Sequence, residues 1–213
     1  MKMPSWPILI GSALILLFGV VISIMIRLGS FKPVVIERVP STGPMWLLAK
    51  DHLGAYHKIA PMISEIETWA RANGEPCVLS FGEYTDNPDH TDEDRLRSRG
   101  GCIISDPAHA TTLKSLKLPT GVSVTAYEIG DSLAASFEGS PSIGPIKVYP
   151  QVFAQMSSLD LRSSGPIFEI YEVTSTTAGR TRYLFPVTST RQSDPPSNPT
   201  VPVTAPPSTP PPK

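Results

Sequence analysis

Residues 56–84 read YHKIAPMISEIETWARANGEPCVLSFGEY, and the spacing of the apolar residues changes partway along. Up to Ala72, the residues Tyr56, Ile59, Ile63, Ile66, Trp69 and Ala70 recur every three or four positions, with His57, Lys58, Glu65, Glu67 and Arg71 between them. That is the period of a helix with one buried face. Asn73-Gly74 is a helix stop, and Cys77–Tyr84 (CVLSFGEY) continues as an extended, strand-like run. Upstream, Pro44–Asp51 (PMWLLAKD) is another extended apolar run; downstream, Gly100–Ser105 (GGCIIS) is a third, reached through the acidic connection TDNPDHTDEDRLRSR. The order is strand, helix, strand, strand.

The same order returns about ninety residues later. Val122–Ile129 is an extended lead-in and Ser132–Glu138 (SLAASFE) a strand. Ile146–Leu161 is a helix with Ile146, Val152 or Phe153, Met156 and Leu159 on one face. Ile167–Thr174 (IFEIYEVT) and Arg182–Val187 (RYLFPV) form a hairpin across Ser175–Arg180. The helix start Gly54-Ala-Tyr-His-Lys-Ile59 has its counterpart in Gly144-Pro-Ile-Lys-Val-Tyr149. A duplicated βαββ unit accounts for this, because neither half alone covers the apolar face of its sheet. The expected fold is α+β, one antiparallel-rich sheet with two long helices on one face.

Outside this body the composition changes twice. Pro7–Ile26 (PILIGSALILLFGVVISIMI) carries no charge and, at about 1.5 Å per residue, spans the roughly 30 Å hydrocarbon core of a bilayer. We read 1–6 as a flank, 7–26 as a transmembrane helix and 27–32 as a linker. The run exceeds the apolar core of a cleaved signal, and no A-x-A site follows it. Arg27, Lys32 and Arg38 outnumber the charges before the span, so the positive-inside bias puts the body of this single-pass protein in the cytoplasm. The only two cysteines, Cys77 and Cys102, lie in apolar runs and read as buried thiols, a disulfide being the alternative if the body is exported. From Ser189 the chain is Pro-rich, with nine of the 24 prolines and almost no aliphatic residues. It reads as a disordered, extended tail at 189–213. Its P-x-x-P spacings identify no particular partner. A net charge of −1 with no basic cluster argues against nucleic acid.

Several segments of the body resemble the GyrI-like small-molecule-binding domain, the effector-binding module of AraC-type and BmrR-type regulators. They are Leu53–Ile59, Phe81-Gly-Glu-Tyr-Thr-Asp-Asn-Pro88 with Leu96-Arg97 and Gly101-Cys102, and Phe168-Glu-Ile-Tyr171 with Leu184-Phe-Pro-Val187. The resemblance covers about 33–188. No helix-turn-helix segment precedes it here. The order of anchor, domain and tail is similar to that of the testis-expressed ER-phagy receptor family of animals, with Thr85-Asp-Asn-Pro88 where that family has Tyr-Asp-Asn-Pro. The tail lacks that family's acidic, aromatic-x-x-aliphatic motif, so no autophagy role is carried over.

The resemblance implies a cavity between the halves in which a carboxylate meets cationic, aromatic ligands, and Glu169 stands at the matching place. Strand alternation puts Glu169 and Tyr171 on one face, expected to point away from the helices. The alternative is an ion pair between Glu169 and Arg182 across the hairpin. Tyr84, Tyr171, Tyr183, Trp46 and Phe137 are expected either as walls of the same groove or as core. Some relatives hydrolyse small electrophiles, which makes Glu169 with a tyrosine an alternative water-activating pair. No cofactor is expected. The acidic connection lacks the calcium-loop pattern, the four histidines lack zinc spacing, and there is no G-x-S-x-G, G-x-G-x-x-G or Walker segment. The expected function is a membrane-anchored binding module for a small hydrophobic or cationic ligand. A rival is a membrane-tethered scaffold with a closed groove and a Pro-rich tail that recruits partners. Deleting 194–213 should leave the melting temperature of the body unchanged to within about 1 °C in a calorimetric scan, and a drop of several degrees would mean the tail docks.

Overall fold

The computed structural model describes residues 6–41, 43–173 and 179–190. The Pro-rich tail from 191 and most of the expected turn at 175–180 lie outside them. In chain order the elements are α1 (Trp6–Leu28), β1 (Val34–Val39), β2 (Met45–Leu53), α2 (Ile59–Ala72), β3 (Leu79–Tyr84), β4 (Arg97–Ile104), α3 (Pro107–Ser115), β5 (Val122–Tyr127), β6 (Ser132–Glu138), α4 (Gly144–Ser158), β7 (Leu161–Ser163), β8 (Ile167–Val173) and β9 (Gly179–Ser189). The fold is α+β with an antiparallel sheet, as expected. Three elements were not anticipated: β1, α3 and the short β7, which pairs with the end of β9.

The sheet runs β1-β6-β9-β8-β3-β4-β2-β5 with every neighbour antiparallel. The two βαββ units are β2-α2-β3-β4 and β6-α4-β8-β9, and they meet at the central pair β3–β8. The strand leading into each unit pairs with the other unit: β1 precedes β2 in sequence but lies on β6, and β5 precedes β6 but lies on β2. Each half is therefore completed by the other.

Both faces of the sheet carry core clusters. On one, α2 and α3 pack through Ile66, Ala70, Ala110 and Leu113 onto Leu48, Cys102 and Val124, and α4 packs through Val148, Val152 and Met156 onto Leu133, Phe137, Tyr183 and Phe185. The other face carries Leu47, Phe81, Ala134, Phe168 and Leu184 in one cluster. Tyr127 on β5 meets Phe168 on β8 with ring centroids 4.9 Å apart. Those strands are four steps apart, which in a flat sheet is roughly 19 Å. The sheet thus curls until this face closes on itself.

α1 is a 23-residue helix of mean hydropathy 2.8 with none of its apolar window buried against the body. Its length and composition fit a membrane span or a signal sequence. One expectation is overturned. Cys77 and Cys102 are joined in a disulfide, with Cα atoms 5.4 Å apart, and are not free thiols. Cys77 lies ahead of β3 with φ 48°, off the strand, and this turns its side chain beneath α2 toward Cys102 on β4. Such a bond belongs to oxidising compartments, so the thiols no longer support a cytoplasmic body. Protein alkylated during isolation should carry no label on either cysteine. Reduction should cost about 3 kcal/mol of stability in denaturant titrations, as expected for a closed loop of this size; labelling of both cysteines in native protein would overturn the bond.

Candidate functional site

α2 and α4 lie on the same face of the sheet but over different halves, and the central strands β3 and β8 are left uncovered between them. A groove of about 1030 Å³ occupies that gap. Its floor is Tyr84, Ile167, Glu169 and Tyr171. Ile59 and Ile63 form the α2 wall, and Tyr149 and Phe153 the α4 wall. The amphipathic spacing that buries α2 against β4 also turns Ile59 and Ile63 to the groove edge. A Cβ at Gly100 would lie 2.8 Å from Ile63, so the absence of a side chain there lets the helix sit low.

Register fixes where Glu169 points. Opposite it are Gly82 on β3 and Tyr183 on β9, and Tyr183 belongs to the cluster under α4. Glu169 and Tyr171 therefore face the helices, not away from them. Alternation had separated the two sets of residues correctly, but both faces are buried, so hydrophobicity could not say which one carries the helices.

Glu169 is 5% exposed and sits at the centre of a tyrosine cluster. Tyr149 donates to one carboxyl oxygen at 2.8 Å and Tyr171 to the other at 2.9 Å. The hydroxyls of Tyr171 and Tyr84 are 3.1 Å apart. Tyr84 reaches this point by folding back over Gly82, where a Cβ would lie 2.6 Å from its hydroxyl. Among the described residues no Lys, Arg or His forms an ion pair with Glu169. Arg182 is paired in register with Ile170 and lies 3.6 Å from Glu37, so the expected alternative pairing does not occur. Burial raises the Glu169 pKa above the usual carboxylate range, and the Tyr149 and Tyr171 hydrogen bonds only partly offset this. Burial and then the Glu169 charge push Tyr84 and Tyr149 up, keeping both phenols protonated.

The rim is built by the 85–89 segment. The Tyr56 hydroxyl donates to the Asp86 carbonyl at 2.8 Å and accepts the Asp86 N–H at 2.9 Å, while the Tyr56 ring meets Tyr84 edge-on at 4.8 Å. Arg97 grips the Asp86 carboxylate at 2.7 and 3.0 Å and holds its pKa down at about 2. Trp46, Phe137 and Tyr183 are not on the groove. Trp46 lies against the α3 cluster with Lys114 over its ring at 4.3 Å, and Phe137 and Tyr183 are fully buried under α4. Tyr149 and Tyr56 were missed by sequence reasoning. The internal repeat held a clue to Tyr149, since it places that residue level with Ile59.

A second cavity of about 580 Å³ lies elsewhere, lined by Asp51, His52, Glu83, Arg97, Arg99 and Tyr127 among others. Its buried carboxylate already has a cation: Arg99 bonds Glu83 at 2.7 Å and lies 5.2 Å from the Tyr127 ring centroid. Of the two cavities, the groove between the helices is the one that holds a buried carboxyl with no cation bonded to it among the described residues.

No family model matches the chain, and no curated protein matches it in sequence. Solved structures do share its fold. The crystal structure of the EcmrR C-terminal domain aligns at TM-score 0.50 and 14% identity, covering 74% of this chain and 98% of that one. EcmrR in its DNA complex, seen by cryo-EM, aligns at TM-score 0.52 and 13% identity over 74% of this chain and 57% of that one. The chain thus spans little more than half of the longer EcmrR chain. An uncharacterized conserved protein from Listeria innocua gives TM-score 0.49 at 17% identity, over 72% and 92% of the two chains. At such identities the two EcmrR likenesses establish a shared fold alone.

The raised Glu169 pKa has a definite sign for stability. The unfolded carboxyl ionises near about 4.3, so its protonated form supports the fold fully below that value, and the contribution is lost as pH rises through the higher folded pKa. Glu169→Gln should therefore match wild type in denaturant titrations near pH 4 and exceed its stability increasingly toward neutral pH. A mutant less stable at pH 7 would contradict the burial argument.

Proposed function

We propose that the protein is a membrane-anchored binding module whose groove holds a cationic, aromatic or otherwise apolar small molecule against Glu169, with α1 as the anchor, 33–188 as the binding body and 189–213 as a tail. The single observation that carries this reading is a buried carboxyl with no cationic partner among the described residues, met by tyrosine hydroxyls and open to a cavity of about 1030 Å³. Ionising Glu169 in the empty groove is costly because nothing compensates the charge. A cation placed over it supplies the compensation, and the surrounding rings add cation–π attraction, about 2 kcal/mol or more in a desolvated site. The volume is at the upper end for ligand pockets, about 300–1,000 Å³, and the mixture of apolar walls with one polar cluster is typical of them. The fold shared with the EcmrR C-terminal domain is compatible with this reading.

The hydrolytic alternative has less behind it. Both Glu169 oxygens already accept tyrosine hydroxyls, and the described groove offers no Ser or Cys nucleophile held by a base. The closed-groove scaffold is disfavoured by the open volume.

The test uses N-methylacridinium and its neutral carbon isostere, methylanthracene, with the full chain in nanodiscs. Wild type should prefer the cation, and Glu169→Gln should weaken its binding by about 1.5–3 kcal/mol, roughly 10- to 150-fold, while leaving the neutral compound unchanged. Affinity for the cation should also rise with pH as Glu169 loses its proton. Equal affinity of wild type for both compounds would remove the cation-site reading.

A further inference from the structure

The end of α1 is built into the body. Gly29, with φ 78°, closes the helix: its N–H bonds the Ile26 carbonyl at 3.0 Å, and the Ser30 N–H bonds the Met25 carbonyl at 2.9 Å. This left-handed glycine cap ends the helix sharply. The Leu28 carbonyl, which the cap leaves over, accepts the Ser140 N–H of the β6–α4 connection at 2.9 Å. A Cβ on Gly29 would lie 3.0 Å from Gly139 Cα, and one on Gly139 would lie 2.7 Å from the Leu28 oxygen. The two glycines thus let backbone touch backbone. Lys147, in the first turn of α4, then clamps the linker. Its ammonium donates to the Ser30 carbonyl at 2.7 Å and to that of Lys32, and stands 5.2 Å from the Phe137 ring centroid. A loose tether has no use for these contacts.

The segment that receives the anchor also shapes the groove. Pro141 and Ser142 follow Ser140 directly, and together with Pro145 at the start of α4 they line it. Next to the clamp, Phe31 and Ile146 are 65% and 74% exposed. Leu28 lies two residues beyond the uncharged run, at the level where a spanning helix leaves the hydrocarbon. A Phe and an Ile held rigidly at that level are suited to the lipid interface and poorly suited to water.

We propose that the Lys147 clamp seats the body on the bilayer with Phe31 and Ile146 in the lipid interface, so that the groove takes its occupant laterally from the membrane, as a cationic single-chain amphiphile. This rests on the reading of α1 as an anchor and of the groove as a cation site. The head would reach Glu169 and its tyrosines, and the chain would run past Tyr149 toward Pro141 and Pro145. An amphiphile of this kind partitions into the bilayer far more than into water, so a mouth at the surface meets it at high local concentration.

The seating is tested with full-length chain in nanodiscs of brominated phosphatidylcholine. Ile146→Trp, in a Trp6→Phe background, should show at least a twofold loss of its added emission, and Val78→Trp, at an exposed position with no contact to α1, should show none. Unquenched emission at 146 would overturn the seating. Entry is tested by doping the nanodiscs with N-dodecylacridinium and following its loading. Lys147→Met should load at least threefold more slowly than wild type, and Lys147→Arg should restore the rate. Both should bind N-methylacridinium added from water as wild type does, which also shows that they fold. Equal loading by Lys147→Met and wild type would overturn lateral entry. A wild type that fails to bind N-methylacridinium at all would instead sink the cation-site reading beneath it.

Discussion

The pairing of β3 with β8 is the contact on which the rest of the architecture depends. It is the seam between two βαββ units, and each unit places its long helix over its own strands and away from that seam. The uncovered strip between α2 and α4 follows from this geometry. Gly82 opposite Glu169 then sets what the strip contains, because the missing side chain leaves room for Tyr84 to fold inward and reach the phenol of Tyr171. A bulkier residue at 82 would push the ring out and break the chain of hydroxyls at its centre.

That chain explains how a carboxyl can sit almost wholly out of water. Three phenols from three elements, β3, α4 and β8, surround it, and two donate directly to its oxygens. Neutral donors soften the cost of burial without cancelling charge, which an arginine would have done. The contrast with the second cavity is instructive. There Glu83 has Arg99 beside it, and Arg99 lies against Tyr127, whereas Glu169 has tyrosine hydroxyls and, among the described residues, no cation.

Much of this was legible in the sequence. The helix from Ile59 to Ala72 and the repeat that pairs Gly54 with Gly144 were readable because their apolar periods are regular. Glu169 is singled out by the resemblance, since a carboxylate inside FEIY is by itself no more telling than Glu83 inside FGEY. Other features depended on tertiary context. β1 reads VVIERV, a short run whose role appears only when β6 lies beside it. α3 has a weak apolar face, although Asp106 before Pro107 is a helix start whose side chain does accept the Ala108 N–H at 2.8 Å. The direction in which Glu169 points could not be read, since the curled sheet buries both of its faces. Trp46, Phe137 and Tyr183 looked like groove walls because aromatic residues serve equally well as core, and composition does not distinguish the two. The disulfide escaped because Cys77 was counted as part of a strand, whereas the chain there turns through a left-handed conformation that brings its sulfur under the helix.

The exchange of lead-in strands carries a lesson about origin. A lone unit with its own preceding strand would have an edge on β2 or β6 that nothing in the same chain could cover. Two identical copies would solve this by each lending its first strand to the other, with the β3-type strands meeting across a twofold axis. The present chain is in effect such a strand-exchanged homodimer written as a single polypeptide. Within one polypeptide the two halves need not match: glycine stands on one side of the axis and glutamate on the other, so a site that symmetry would force to be identical on both sides is lopsided.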